Sequence, residues 1–217
     1  MPFEKSAAVE SNWSMALANS YEGIIFDYGG VLATHQTDPD QARLAGIAAV
    51  PKEVFTELYW SDRQDYDKGL VSATEYWQAI AQRAGTSFAQ KAIEQLIELD
   101  TLSWMQFDTV MWDWIKQLRS AGRRVAMLSN MPRELGEALK SRTDRLDQFD
   151  FVTLSYEVHS VKPEPAIYEH CLEGLGLDAE QTLFLDDRMA NIQGAELLGI
   201  HAVQFTDRDS VLLRVRG

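Results

Sequence analysis

Cysteine is almost missing from this sequence. Cys171 stands alone among 217 residues. It rules out an internal disulfide and suits a reducing compartment, so a cytoplasmic location is expected. Positive charge is also scarce: 20 basic residues face 33 acids, a formal net charge of −13. Nucleic acid and anionic membranes repel such a surface, which argues against both as main partners. Long apolar runs are missing too, and none approaches the roughly 20 residues of a membrane span. Met1–Ser20 lacks a basic start followed by an apolar stretch and makes a poor secretory signal. It reads as a tail, with Trp13, Met15 and Leu17 as weak anchors. Repeats and low-complexity tracts are absent. What is present is a chain 46% apolar and 24% charged, able to bury a full core without staples.

Continuous apolar runs predict buried strands near Gly23–Phe26, Arg124–Leu128, Phe151–Leu154, Thr182–Leu185 and Ala202–Phe205. Helical patterns alternate with them. Thr109–Ser120 places Val110, Met111, Trp114, Ile115 and Leu118 on one face before Gly122. Pro165 starts a helix ending near Gly174–Gly176, and another runs from Met189 to Leu198. The expected fold is α/β, a Rossmann-like parallel sheet. Between the first two strands, Asp38–Asp108 holds helix signals and no strand. Ser72 with Glu75, and Ser87 with Gln90, have capping-box spacing. A crossover needs one helix rather than some seventy residues, so an inserted all-helical subdomain is expected. The boundaries predicted are 1–20 for the tail, 21–34 and 109–217 for the α/β core, and 35–108 for the helical insert.

Four polar clusters fall where the strands end: Asp27 in IIFDYGGVL, Ser129 and Asn130 in VAMLSN, Lys162 in HSVKPEPAIYEH, and Asp186 and Asp187 in LFLDDRMANIQGA. Open parallel sheets build their sites at the carboxyl ends of strands, so the four can share one crevice. Three aspartates there repel unless a cation or lysine neutralises them. Hard oxygen ligands select Mg²⁺, which binds through one or two carboxylates plus substrate phosphate. A carboxylate left partly free can attack phosphorus. Lys162, the Ser129 hydroxyl and nearby backbone N–H groups, Gly30 among them, can then stabilise phosphoryl oxygens.

These motifs, in this order and spacing, resemble the haloacid dehalogenase-like hydrolase superfamily, in its helical-cap branch, from about Gly23 to Thr206. The strings FDYGGVL, SN, VKPEPAIY and DDRMANI look closest to phosphatases of small phosphate esters, including sugar phosphates. The resemblance implies Asp27 as nucleophile, Ser129 as phosphate binder, Lys162 as charge-balancing lysine, and Asp187 with Asp186 as the metal site. Asn130 is a further substrate-binding candidate. The family's remaining metal ligand is a main-chain carbonyl, here that of Gly29. The implied partner is a small-molecule phosphate ester; the oligomeric state carries no sequence signal.

One position departs from the pattern. Phosphatases of this type carry a second aspartate two residues after the nucleophile, which protonates the leaving group and activates water. Gly29 stands there instead. General acid–base groups contribute typically 10²–10⁴-fold. Good leaving groups would need less protonation, His35 or a cap residue would substitute, or the protein would be slow or inactive. Two alternatives follow: a metal-independent haloacid-type dehalogenase, and a non-catalytic phosphate- or partner-binding relative. In the cap string WSDRQDYDKGLVSATEYW, Arg63 is a candidate for substrate contact, with Trp60, Tyr66 and Gly69. The plainer reading has Trp60 and Tyr66 filling the cap core. Trp104, Trp112 and Trp114 read as core packing, and His159, His170 and His201 as structural.

Overall fold

A computed structural model describes residues 20–207. The tail expected over Met1–Ser20 therefore lies, except for Ser20, outside the described residues. Five parallel strands form one sheet: β1 (Gly23–Phe26), β2 (Arg124–Ser129), β3 (Phe151–Leu154), β4 (Thr182–Asp186) and β5 (His201–Gln204), in the order β3-β2-β1-β4-β5. The apolar runs are continuous because both faces are covered. Ile24 and Phe26 join one buried cluster with Val125, Met127, Leu183 and Leu185. Ile25 joins the other with Ala126, Leu128 and Phe184. The chain winds outward from β1 to β2 and β3, then crosses back to β4 and β5. That reversal leaves a crevice at the carboxyl ends of the central strands.

Between β1 and β2 lie α1 (Asp38–Ala48), α2 (Lys52–Ser61), α3 (Arg63–Asp67), α4 (Ala73–Arg83) and α5 (Gln90–Ser103). They bury a hydrophobic cluster of their own, including Leu44, Phe55, Tyr59, Trp77, Ile80 and Leu96. The Ser72–Glu75 capping box forms, as does one at Thr37 and Asp40. The expected Ser87–Gln90 box does not. The first carbonyl to accept bonds from α5 is that of Ala89, from the N–H groups of Ala92 and Ile93, so the helix starts past Ser87.

After α6 (Thr109–Ser120) and β2 come α7 (Arg133–Arg142), the short α8 (Ser155–Val158), α9 (Pro165–Leu175) and α10 (Met189–Glu196). On α6 one residue departs from the expected face: Val110 is exposed, while Trp112 is buried as core packing predicts. The Trp112 indole N–H donates to the Leu32 carbonyl at 2.9 Å, which turns that face inward. Gly176, at φ +67°, ends α9 as expected. α10 stops two residues short of Leu198.

The helical unit is tied to the sheet layer by polar contacts. Arg142 donates two bonds to Glu98, at 2.8 and 2.9 Å. Tyr66 Oη donates to Glu134 at 2.9 Å, and the Ser155 hydroxyl to the Asp67 carbonyl at 2.5 Å. Lys68 pairs with Glu164 at 2.5 Å. Among the described residues no helix is long and apolar enough to cross a membrane.

Candidate active site

Asp27 follows directly on β1, and its N–H still donates to the Leu185 carbonyl at 2.8 Å, as a strand residue would. The chain then turns sharply: Leu32 and Ala33 both donate to the Tyr28 carbonyl at 2.8 Å. Gly30 has φ +78°, a conformation that disfavours any side chain. A Cβ there would also lie 2.7 Å from His35 Nε2 and 3.0 Å from Asp187 Cγ. Its N–H donates to the Ala33 carbonyl at 2.7 Å, so this donor of Gly30, expected near substrate, is used within the turn.

Lys162 is the centre of the cluster. Its Nζ lies 2.7 Å from Asp27 Oδ1 and 2.7 Å from Asp186 Oδ2, and donates to the Leu128 carbonyl at 2.9 Å. An ammonium has three donors, so all are engaged here, and the lysine balances charge rather than reaching toward substrate. Burial opposes its positive charge, but Asp186 and Asp27 outweigh burial and raise its pKa. Asp186 is fully buried. Burial pushes its carboxyl up, yet Lys162, the Arg188 N–H and Asn191 together hold it below the ordinary carboxylate range. Both of its oxygens accept hydrogen bonds, at 2.7–2.9 Å, from these groups. Asp186, expected beside Asp187 in the metal site, thus orients Lys162 and Asn191. Asn191 is buried and not an exposed helix residue.

Asp27 is different. Burial pushes its pKa up to about 8; Lys162 opposes this, while Asp186 and Asp187 add to it. One lysine does not neutralise three carboxylates. The ligand oxygens of Asp27, Asp186 and Asp187 lie within 4.8 Å of one another. Asp187 keeps partial exposure and meets His35 Nε2 at 3.1 Å.

The cluster forms the floor of a cavity of about 270 Å³, bordered by Asp27, Gly29, Ser129, Asn130, Lys162 and Asp187. The Asn130 amide is committed: Oδ1 accepts from the Lys162 N–H at 2.8 Å and Nδ2 donates to its carbonyl at 3.0 Å. Asn130, a substrate-binding candidate that borders the cavity, thus also positions Lys162. Arg63 also borders the cavity but is buried, bound by Asp67 at 2.9 Å and Asp100 at 3.2 Å. Its guanidinium lies over the Tyr59 and Tyr66 rings. Both of its carboxylate partners lie inside the helical unit. Tyr66 is buried, whereas Trp60 is half exposed and borders the cavity.

Sequence reasoning missed Trp104, Asp67, Met131 and Leu135, all of which border the cavity. Trp104 is the C-cap of α5, whereas Trp112 and Trp114 lie on α6. Asp108, the N-cap of α6, was the available signal that the helical spacing breaks between them.

A family model described as haloacid dehalogenase-like hydrolase matches residues 21–199. The sesquiterpene phosphatase astK of Aspergillus oryzae is 23% identical, over 92% of this chain and 97% of its own length. D-ribitol-5-phosphate phosphatase of Bacteroides thetaiotaomicron is 24% identical, over 84% of this chain and 91% of its own. Other relatives are longer, and the chain spans only 18% of mouse acyl-CoA dehydrogenase family member 10. A crystal structure of a HAD family enzyme of B. thetaiotaomicron, in complex with magnesium and inorganic phosphate, superposes with TM-score 0.68 at 25% identity. It covers 85% of this chain and 93% of its own.

Proposed function

The chain belongs to the haloacid dehalogenase-like hydrolases, and from that membership we propose that it is a Mg²⁺-dependent phosphatase acting on a small phosphorylated metabolite. The observation that carries this reading is the crowded floor: Asp27, Asp186 and Asp187 lie within 4.8 Å of one another, with Lys162 paired to the first two and His35 to the third. The donor set fits Mg²⁺, being composed of hard carboxylate oxygens. Asp27 and Asp187 would hold the ion with the main-chain carbonyl of Gly29, while Asp186 keeps Lys162 in place. When bound there, the ion supplies positive charge to the phosphoryl oxygens and to Asp27. Lys162 supplies the remaining neutralisation from beneath.

Asp27 then attacks phosphorus in line. The Asp27 Oδ–P bond forms, the P–O bond to the leaving group breaks, and the electron pair departs on the ester oxygen. The Ser129 hydroxyl borders the same cavity and would orient the phosphoryl group. Water cleaves the aspartyl-phosphate and restores Asp27. In this reading residues 35–108 are a cap that excludes bulk water and restricts substrates to small molecules. A sugar phosphate is compatible with the cavity size. The phosphatase relatives support the reaction class, and the lone buried Cys171 supports a cytoplasmic location.

The test is phosphate release from a panel of small esters with Mg²⁺. Asp27→Asn should lower it by more than about 10³-fold. Unchanged release in that variant would remove Asp27 as nucleophile. Halide release from haloacids that persists in chelator would favour the dehalogenase reading instead.

A further inference from the structure

The position that lacks a carboxylate is filled from outside. A Cβ built on Gly29 would lie 3.2 Å from Trp104 Cζ3 and 3.7 Å from Cε3. The first distance is already tight, so a longer side chain at this position must displace the indole. Trp104 is fixed in place by two bonds. Its indole N–H donates to the Tyr59 hydroxyl at 3.2 Å, and its carbonyl accepts from the Tyr28 hydroxyl at 2.7 Å. Tyr59 is itself anchored by donating to Asp100 at 2.6 Å. Trp60 stands edge-on to Trp104, with centroids 6.3 Å apart, and is 46% exposed although it is among the largest side chains of the helical unit. Both indoles border the cavity above the carboxylates, and Met131 and Leu135 add apolar wall from the sheet layer.

Such a surface has a definite preference. Indole faces and thioether or aliphatic side chains offer nothing to the hydroxyls of a polyol, which would lose water without new partners. They suit a flat apolar group, which stacks on or packs edge-to-face against them. The chemistry at Gly29 points the same way. No carboxylic acid stands at position 29; of the other candidates on this cavity, His35 is paired with Asp187 at 3.1 Å and Asp67, the helical unit's carboxylate, is bound to Arg63 at 2.9 Å. Aryl and enol oxygens depart with little help, because their negative charge is delocalised.

We propose that Trp104 and Trp60 form a leaving-group subsite that selects phosphate esters of aromatic or flat unsaturated alcohols over those of polyols. This rests on the phosphatase reading for turnover, but the subsite itself can be tested without it. The bond broken is P–O. The aryl oxide leaves with the electron pair and takes its proton from solvent, and Asp27 takes the phosphoryl group.

The experiment compares phenyl phosphate with ribitol 5-phosphate in Mg²⁺, and calorimetric binding of phenylphosphonate with that of methylphosphonate. Wild type should favour phenyl phosphate in kcat/KM by at least about tenfold. Trp104→Ala should reduce that ratio by about fivefold or more, mainly through KM, and Trp104→Phe should keep most of it. Trp60→Ala, at a half-exposed position where folding is not at stake, should reduce it less, in the same direction. A wild-type ratio near one, or equal losses on both esters in Trp104→Ala, would overturn the proposal. If no ester turns over, yet phenylphosphonate binds more tightly than methylphosphonate and Trp104→Ala removes the difference, the subsite stands and the phosphatase reading falls. Equal binding of the two phosphonates overturns the subsite whatever the turnover.

Discussion

Two buried ion clusters border the same cavity, one built on the sheet and one in the helical unit. Each holds one cation between two carboxylates: Lys162 between Asp27 and Asp186, and Arg63 between Asp67 and Asp100. They differ in how completely they are satisfied. Around Arg63, Asp100 also accepts from Tyr59 at 2.6 Å and Gln36 at 2.8 Å, and three tyrosine rings pack on the guanidinium. Around Lys162 a third carboxylate, Asp187, is added, and Asp27 is left with its pKa near 8. A closed cluster shapes the structure, whereas an unbalanced one is prepared for a cation. The contrast separates a charge network that holds the helical unit in shape from the one on which the proposed function rests.

The strongest way to break the comparison is to remove each cation. Removing one partner of a buried pair costs about 3–5 kcal/mol, because the other charge is left uncompensated. Arg63→Met should therefore lower unfolding stability by that amount in urea titrations, equally with and without Mg²⁺. Lys162→Met should lose stability in chelator and regain part of it in Mg²⁺, because a bound cation stabilises the state that holds it. Equal Mg²⁺ responses in the two variants would contradict the distinction.

A smaller effect comes from pH. Burial pushes the Asp67 carboxyl up to about 6, although Arg63 opposes it, from an ordinary value of 3.8. The folded state therefore binds this proton more tightly than the unfolded state. Its contribution to stability is fully present below about pH 4 and is lost as pH rises to about 6. The stability of wild type relative to Asp67→Asn should fall across that window, read from urea unfolding at four pH values. A difference that stays flat, or rises, would remove the unfavourable burial of Asp67.

The smallest effect tests the exchange of a carboxylate for an indole. Gly29→Asp should cost about 1–3 kcal/mol through overpacking against Trp104. It should flatten the dependence of rate on leaving-group basicity only when combined with Trp104→Ala, which makes room. Flattening by Gly29→Asp alone would show that the indole does not exclude the carboxylate.

How much of this was legible differs between the two regions for a physical reason. The sheet is written in local patterns. Apolar runs buried on both faces, and polar residues immediately after them, predict β1 to β4 nearly to the residue, together with Asp27, Ser129, Lys162 and Asp187 on one crevice and Asp186 next to them. What the pattern does not carry is how hydrogen bonds are divided once the residues meet. Asp186 and Asp187 are adjacent in sequence, yet the first is saturated by Lys162, Arg188 and Asn191 while the second faces the cavity. Gly30 and Asn130 were likewise placed near phosphate, but the Gly30 N–H and one Asn130 amide N–H are used inside the loops that hold Asp27 and Lys162. The helical unit is less readable. Its helices were visible by period and capping, but Trp104 and Asp67 reach the cavity through contacts with residues distant in sequence, such as Tyr28 and Ser155. No local pattern encodes that.

The account turns on one claim, that the floor around Lys162 becomes competent for an anion only when a divalent cation completes its charge. Calorimetric titration of inorganic phosphate into the full chain, in Mg²⁺ and then in chelator, tests it directly. The account predicts that phosphate affinity drops at least about tenfold when Mg²⁺ is removed, and that Asp187→Asn removes most of the Mg²⁺ effect. Equal phosphate affinity with and without Mg²⁺ would contradict it.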